Sequence, residues 1–438
     1  MNVQRVADLG PDERTALFER DAGIGAIRED VREIVERVRE EGDVALRAYA
    51  SEFDGVEVGN IDVTDEAERA HDELDDDLRG AIETAADNVR SFHERQRRDD
   101  WRIEVDGREL GRRFRPIERV GVYVPGGSAA YPSSALMGIV PARVAGVEHV
   151  AVATPPAERM NPVTLAAIHE AGADAVYATG GAQAIAALAY GTETVDRVHK
   201  VVGPGNRWVT AAKAAVRDDV AIDTLAGPSE VLVVADGTAD PTFVAADLLA
   251  QAEHDERASV VAVATDEEVA SAIASAVDRA AADREREATI RAALGHDASG
   301  VFTARSMSEA IAFADSYAPE HLSIQAEDDE AILDRIDSAG SVFLGPYTPV
   351  AAGDYATGTN HVLPTGGWAR VSGGLSVDDF VRATTVQRCS AAGLDALGET
   401  IDTLARAEGL EAHAESVAVR LRERDERSTE DDQEPVRE

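Results

Sequence analysis

Cysteine and lysine are almost missing from this chain: among 438 residues there is one cysteine, Cys389, and only two lysines, Lys200 and Lys213. A single cysteine excludes an intrachain disulfide and any Cys-x-x-Cys metal or redox motif. Long apolar runs are absent too; none approaches the roughly 20 residues needed to cross a bilayer. The opening stretch MNVQRVADLGPDER lacks the basic start and apolar core of an export signal, so the expected location is the cytoplasm. Nowhere does Gly-x-Gly-x-x-Gly occur, so any dinucleotide site must be built from other turns.

Positive charge is also scarce. Against 83 acidic residues stand 43 basic ones, a formal net charge of −40. Such a surface repels nucleic acid phosphates and anionic membranes, and neither partner is expected. The acids are spread along the chain, as in a halophilic protein whose self-repulsion is screened within about 3 Å at 1 M salt. The acidity therefore describes the solvent rather than the chemistry. An apolar content of 44% is that of a globular protein, and the length allows roughly two to four domains.

What is present is an alternation of two periodicities. Residues 26–100 keep apolar side chains at helical spacing, as in IREDVREIVERVREEGDVALRAYASEF. From RVGVYVPGG (119–127) short apolar strands alternate with helices: HVAVAT, NPVTLAAIHEAG, AVYATGG, AQAIAALAYG and RVHKVVGPGN. Near-continuous apolar strands separated by helices indicate a parallel sheet. A second run of this type starts at EVLVVAD (230–236), and Asp240-Pro241 then cap and open a helix reaching His254. ASVVAVAT, GVFTA, LSIQA and GSVFLG supply its further strands. Residues 345–376 read as one long Gly- and Thr-rich loop, a length that is usually functional. The chain returns to helix, with Cys389 packed near the start of an apolar-striped one, and ends in a solvated, disordered acidic tail.

Polar residues capable of chemistry gather in the second half. In LLAQAEHDERA, Gln251 and His254 stand three residues apart, neighbours on one helix face with metal-ligand donors; a solvated helix end is the plainer alternative. In YAPEHLS, Pro319 interrupts a helix and leaves Glu320 and His321 at a turn, suited to acid and base work or simply a polar helix end. Asp354 and His361 lie in the long loop, where an aspartate is often a turn former. Glu408 and His413 lie near the start of the last helix. PGG (125–127), TGGAQA (179–184) and GPGN (203–206) each follow an apolar strand, where backbone N–H groups could meet phosphate. Residue chemistry alone ends at an α/β protein with a possible metal site and a possible phosphate site.

The strings AGPSEVLVVAD, DLLAQAEHD, APEHLSI, FLGPYTPVAAGDYATGTNHVLPTGGWAR, GLSVDDF and AEGLEAH, with GDVALRAYASEFDG and RVGVYVPGG earlier, resemble the histidinol dehydrogenase family over nearly the whole chain. The resemblance implies oxidation of L-histidinol through L-histidinal to L-histidine, with two NAD consumed and one Zn²⁺ per subunit. It implies zinc ligands at Gln251, His254, Asp354 and His413, and a catalytic pair at Glu320 and His321. Ser229, His361 and Glu408 would join the ligands and His321 in binding substrate, and Tyr123, Gln183 and Asn206 would contact NAD. A homodimer with shared active sites is implied as well. A zinc-dependent hydrolase and a two-lobed binding protein are the rival readings. The expected fold is two Rossmann-like, incompletely doubly wound α/β domains with a small helical arm region. In residues, these are 25–122 with 231–371 for the metal and catalytic domain, 123–230 for an inserted NAD-side domain, and 1–24 with 372–438 for the dimerisation arm and its tail.

Overall fold

The computed structural model describes residues 1–20, 22–126, 130–282 and 284–431, with side chains to residue 423. Residues Met1–Arg97 and Pro116–Phe380 form one unit; Arg98–Arg115 and the chain from Val381 onward form another. The chain enters through a strand, β1 (Val3–Arg5), and helices follow between residues 11 and 94. A hairpin of β2 (Trp101–Val105) and β3 (Arg108–Pro116) belongs, up to Arg115, to the second unit. Back in the first unit come β4 (Arg119–Tyr123), β5 (His149–Thr154), β6 (Ala175–Ala178), β7 (Lys200–Val202) and β8 (Ala221–Ile222). Then follow β9 (Glu230–Ala235), β10 (Ser259–Ala264), β11 (Gly300–Thr303), β12 (His321–Gln325) and β13 (Ser341–Leu344), and β14 (Val381–Cys389) re-enters the second unit.

Two parallel sheets carry the first unit. One is ordered β6-β5-β4-β7-β8, the other β1-β11-β10-β9-β12-β13. Both are α/β layers of Rossmann type: counting strands in chain order, each has the order 3-2-1-4-5, and β1 is added at the edge of the second. Valine and alanine make these strands because both faces are covered. In β9, Val231, Val233 and Ala235 enter one core, and Leu232 and Val234 the opposite one. Between strands run helices with Asn161, Asn206, Asp240 and Asp266 as N-caps, each accepting backbone N–H groups of the first turn.

Packing departs from the sequence reading in several places. Residues 25–122 were expected to join 231–371, but the apolar face of the helix Arg28–Glu41 (Val31, Ile34, Val35, Val38) lies in a core with Ala182–Ala189 beside the five-stranded sheet. The helix Asp76–Glu94 covers that sheet's other face through Ile82, Ala86 and Val89. The N-terminal segment, expected in the helical arm, instead starts as β1, parallel to β11 from Val3↔Val301 to Arg5↔Thr303; three residues are too short for a strand to show its period. The loop read over 345–376 contains a helical turn, Val350–Tyr355, opened by Pro349.

The second unit is not purely helical. Its sheet has the order β14-β3-β2, and Asp106 (φ 47) with Gly107 (φ 75) makes the two-residue turn between β2 and β3, the positive-φ pair that matches strand twist. Cys389 is the last residue of β14 and is exposed, not packed in a helix; alternation in VRATTVQRC was masked by its many polar residues. Two helices, Ala391–Ala407 and Glu411–Asp431, pack on each other with Gly398 facing Leu421. The last helix therefore includes the first residues of the expected tail, and the rest of that tail lies outside the described residues. Among the described residues no helix is long and apolar enough to cross a membrane.

Candidate active site

A cleft of about 1880 Å³ runs through the first unit, and its wall includes Tyr123, Gln183, Asn206, Ser229, Gln251, His254, Glu320, His321, Asp354 and His361. Every expected site residue that lies in the first unit is thus on one surface. Glu408 and His413 belong to the second unit: Glu408 ends the helix Ala391–Ala407, and His413 is in the first turn of Glu411–Asp431.

On one side the wall is the carboxyl edge of the five-stranded sheet, at the point between β4 and β7 where the strand order reverses and where open α/β sheets bind ligands. Tyr123 ends β4; its buried hydroxyl accepts the Gly181 N–H at 3.1 Å, and burial pushes it up to about 12. Gly181 (φ 62) opens the helix that carries the buried Gln183. After β7, Gly203 stands at φ 112, where a Cβ would collide with the Tyr123 carbonyl. This turn is locked from behind. Lys213 Nζ donates to Gly203 O (2.5 Å) and Asp223 Oδ1 (2.6 Å), and Asp223 Oδ2 accepts the Gly203 N–H at 2.8 Å. Asn206 caps the next helix through Trp208 N at 2.9 Å and Val209 N at 3.3 Å. Helix N-termini with converging N–H groups suit an anion such as a pyrophosphate. Of the PGG turn, Gly127 lies outside the described residues.

Across the cleft the wall is the amino edge of the six-stranded sheet. A crossover helix runs antiparallel to its strands, so the last turn of Pro241–Ala252 returns to this edge and brings Gln251 with it. Gln251 is buried and lines the cleft, with no side-chain hydrogen bond to protein among the described residues. His254 lies just past the helix, which ends at Ala252 rather than continuing as its spacing suggested; the His254 N–H donates to Gln251 O at 3.2 Å. Pro319 does break the preceding helix, at Tyr317, but His321 is the first residue of β12 rather than part of a turn.

Glu320 and His321 are both buried. His321 Nδ1 bonds Glu230 O at 3.0 Å, which leaves Nε2 without a hydrogen-bond partner, 3.6 Å from Asp354 Oδ1. Burial disfavours the imidazolium, yet Glu320 and Asp354 outweigh it and push His321 up to about 10. Asp354 is held below its ordinary value: burial opposes ionisation, but His321, His361 and His254 prevail. Its backbone carbonyl receives His361 Nδ1 at 3.0 Å, and burial lowers that imidazole. Among the described residues no cluster of three His, Cys, Asp or Glu is placed to hold a metal; the oxygen and nitrogen donors of Gln251, His254 and Asp354 nevertheless suit Zn²⁺ once a further ligand completes them.

Two residues at this edge escaped the sequence reading. Glu230, 1% exposed, is paired with Arg20 through Nε–Oε1 at 2.7 Å and Nη2–Oε2 at 3.1 Å. The signal was an acid opening the apolar run EVLVVA; nothing in the sequence pointed to an arginine 210 positions earlier.

A family model for histidinol dehydrogenase matches residues 19–421. The histidinol dehydrogenase of Haloarcula marismortui is 73% identical over 421 residues, covering 96% of this chain and 100% of that protein. That of Methanosarcina mazei is 45% identical over 426 residues, 96% of this chain and 98% of its own. Among solved structures, histidinol dehydrogenase from Elizabethkingia anophelis superposes with a TM-score of 0.90 at 40% identity, covering 95% of this chain and 97% of that one. Matched at this identity over nearly its full length, with a cleft that joins dinucleotide-type turns to a buried acid–imidazole pair, the chain belongs to the histidinol dehydrogenase family of NAD-dependent oxidoreductases.

Proposed function

We propose that this protein oxidises L-histidinol to L-histidinal and then to L-histidine, reducing two NAD, as the final steps of histidine biosynthesis in the cytoplasm. The observation that carries this reading is the shared cleft: helix starts suited to an anion and a buried Glu320–His321 pair line one space of about 1880 Å³. NAD lies along Tyr123, Gln183 and Asn206. Substrate lies against Ser229, His321 and His361, with its cationic amine toward the acids of the amino edge.

In the first oxidation the alcohol proton passes to His321 Nε2 as the carbon-bound hydrogen leaves as hydride to NAD⁺. Its Nδ1–H on the Glu230 carbonyl keeps Nε2 as the accepting atom. Glu320 and Asp354 favour the imidazolium, and Asp354 would give up part of that effect on serving as a metal ligand. In the second oxidation water adds to the aldehyde, Glu320 takes its proton, and the resulting hydrate gives hydride to a second NAD⁺. One zinc per subunit would be held by Gln251, His254 and Asp354 together with the partner subunit's His413, with the partner subunit's Glu408 beside the substrate. When bound, it supplies a Lewis acid that orients the substrate's nitrogen and oxygen groups.

NADH production tests the reaction. With histidinol, two NADH per molecule oxidised are expected, and with histidinal one; a zinc hydrolase would leave NAD unreduced. Sharing of the site is tested by refolding His254→Ala together with His413→Ala. In a two-fold dimer with trans sites, roughly a quarter of all sites collect neither lesion and activity returns; sites confined to one chain stay inactive.

A further inference from the structure

The Glu320–His321 pair is held by a residue whose side chain the chemistry above does not use. Glu230 touches both members at once. Its backbone N–H donates to Glu320 Oε2 at 2.8 Å, its carboxylate Oε2 accepts the Glu320 N–H at 3.3 Å, and its carbonyl accepts His321 Nδ1 at 3.0 Å. The first two bonds form a reciprocal ring between the starts of β9 and β12, so the Glu320 side chain is pinned to the start of β9. That ring sets two carboxylates side by side in a buried place, which repel unless a cation is supplied. Arg20, its side chain 4% exposed, is that cation. It grips Glu230 with a two-pronged contact, lies 3.7 Å over the Tyr317 ring, and donates to Tyr317 O at 2.8 Å.

We propose that Glu230, clamped by Arg20, is the positioning residue of Glu320 and serves the aldehyde oxidation more than the alcohol oxidation. The selectivity follows from which bonds a side-chain change can reach. His321 leans on the Glu230 backbone carbonyl and the Glu320 carboxylate on the Glu230 backbone N–H, and both survive any substitution. The Glu230 side chain reaches only the Glu320 backbone N–H and sets its charge beside Glu320, so a change there acts on Glu320 while the His321 bond stays in place. Only a carboxylate suits this place. Oε1 accepts Arg20 Nε and the Gly366 N–H at 2.7 Å each, and Oε2 accepts Arg20 Nη2 and the Glu320 N–H. An amide set either way round would aim its NH₂ at two donors. The inference rests on the reading that Glu320 activates water in the second oxidation.

The test compares turnover with histidinal and with histidinol in Glu230→Gln, Glu320→Gln and the double variant Arg20→Met/Glu230→Gln. The double variant removes both buried charges together, which proteins often tolerate, and it keeps the test open if the single variant does not fold. The ratio of the two rates is unaffected by the fraction of protein folded. In both Glu230 variants the histidinal-to-histidinol ratio is expected to fall roughly 10- to 100-fold, as when the outer partner of a working group is removed, with KM for histidinal little changed. A lower melting temperature with an unchanged ratio would overturn the proposal and leave Glu230 a purely structural ion pair. If Glu320→Gln itself slows both oxidations equally, the underlying role of Glu320 fails and the inference with it. If Glu320→Gln is selective and the Glu230 variants are not, the inference alone fails.

Discussion

The two parallel sheets of the first unit share the strand order 3-2-1-4-5, yet they offer opposite edges to the same cleft. The five-stranded sheet uses its carboxyl edge, where Tyr123, Gly181 and the Gly203 turn stand and where the helices begin. The six-stranded sheet uses its amino edge, where β9 and β12 start and the helix Pro241–Ala252 ends. At the carboxyl ends of β9 and β12, Asp236 accepts Thr238 N at 2.8 Å, Thr238 Oγ1 at 2.6 Å and Glu327 N at 2.9 Å, and its own N–H reaches Gln325 O. The same strand order thus lines the cleft with its carboxyl edge in one layer and with its amino edge in the other. The difference also has an electrostatic sense. Helix starts present N–H groups and partial positive charge, suited to an anionic cofactor; a helix end presents carbonyls and partial negative charge, suited to a metal or an ammonium group.

Changes at the amino edge should damage chemistry. His321→Asn is expected to slow histidinol oxidation by roughly 10²- to 10⁴-fold, the range of general base catalysis, with KM for NAD nearly constant. A parallel rise in KM for NAD would mean that the two edges do not divide the work. The next effect in size concerns metal. His254→Ala should weaken Zn²⁺ retention by about 10- to 100-fold on dialysis, read by elemental analysis, and NAD binding by calorimetry should be unaffected. Chelation should stop turnover and added Zn²⁺ should restore it; metal-free protein oxidising histidinol at the native rate contradicts the assignment.

Changes at the carboxyl edge should act on the cofactor and on the fold. Gly203→Ala places a side chain at φ 112 against the Tyr123 carbonyl, a strain of about 1–3 kcal/mol, to be read as a lower melting temperature with a raised KM for NAD. Normal stability and NAD affinity in that variant would show that the turn can relax. The smallest effect should come from Asn206→Asp. Aspartate caps a helix as well as asparagine does, so the melting temperature should hold; its charge faces the expected pyrophosphate, so KM for NAD should rise several-fold and less so at high salt. A stable variant with unchanged KM would remove Asn206 from the cofactor site.

Much of the architecture is legible locally. HVAVAT, EVLVVA and ASVVAVAT are apolar on both faces, so each reads as a buried strand without reference to the rest of the chain. Asp240-Pro241 announces a helix start in the same way. The hairpin around Asp106-Gly107 was legible too, since Trp101, Ile103 and Val105 alternate with Arg102 and Glu104 ahead of the Asp-Gly turn, but with every residue of β2 exposed it lacks the apolar face of a core strand. Asp354 read as a loop residue because its helix is one turn long, too short for periodicity. At the site, spacing drew attention to Gln251 with His254 and to Glu320 with His321, since each pair is close in sequence.

The sequence by itself determined the strand and helix alternation, the exclusion of an intrachain disulfide, the lack of an apolar run long enough for a membrane helix, and a formal charge of −40, because these depend on composition and on neighbours within a few positions. It also carried the family resemblance, through long strings in intact order. Only the tertiary structure decided which edge of each sheet faces the cleft, that Asp236 ties the ends of β9 and β12 together, and that Arg20 meets Glu230 beside Glu320. Those facts depend on contacts between residues up to hundreds of positions apart, such as Asp354 beside His321 and Arg20 beside Tyr317. Chain crossings and side-chain packing create such contacts, and no local pattern encodes them.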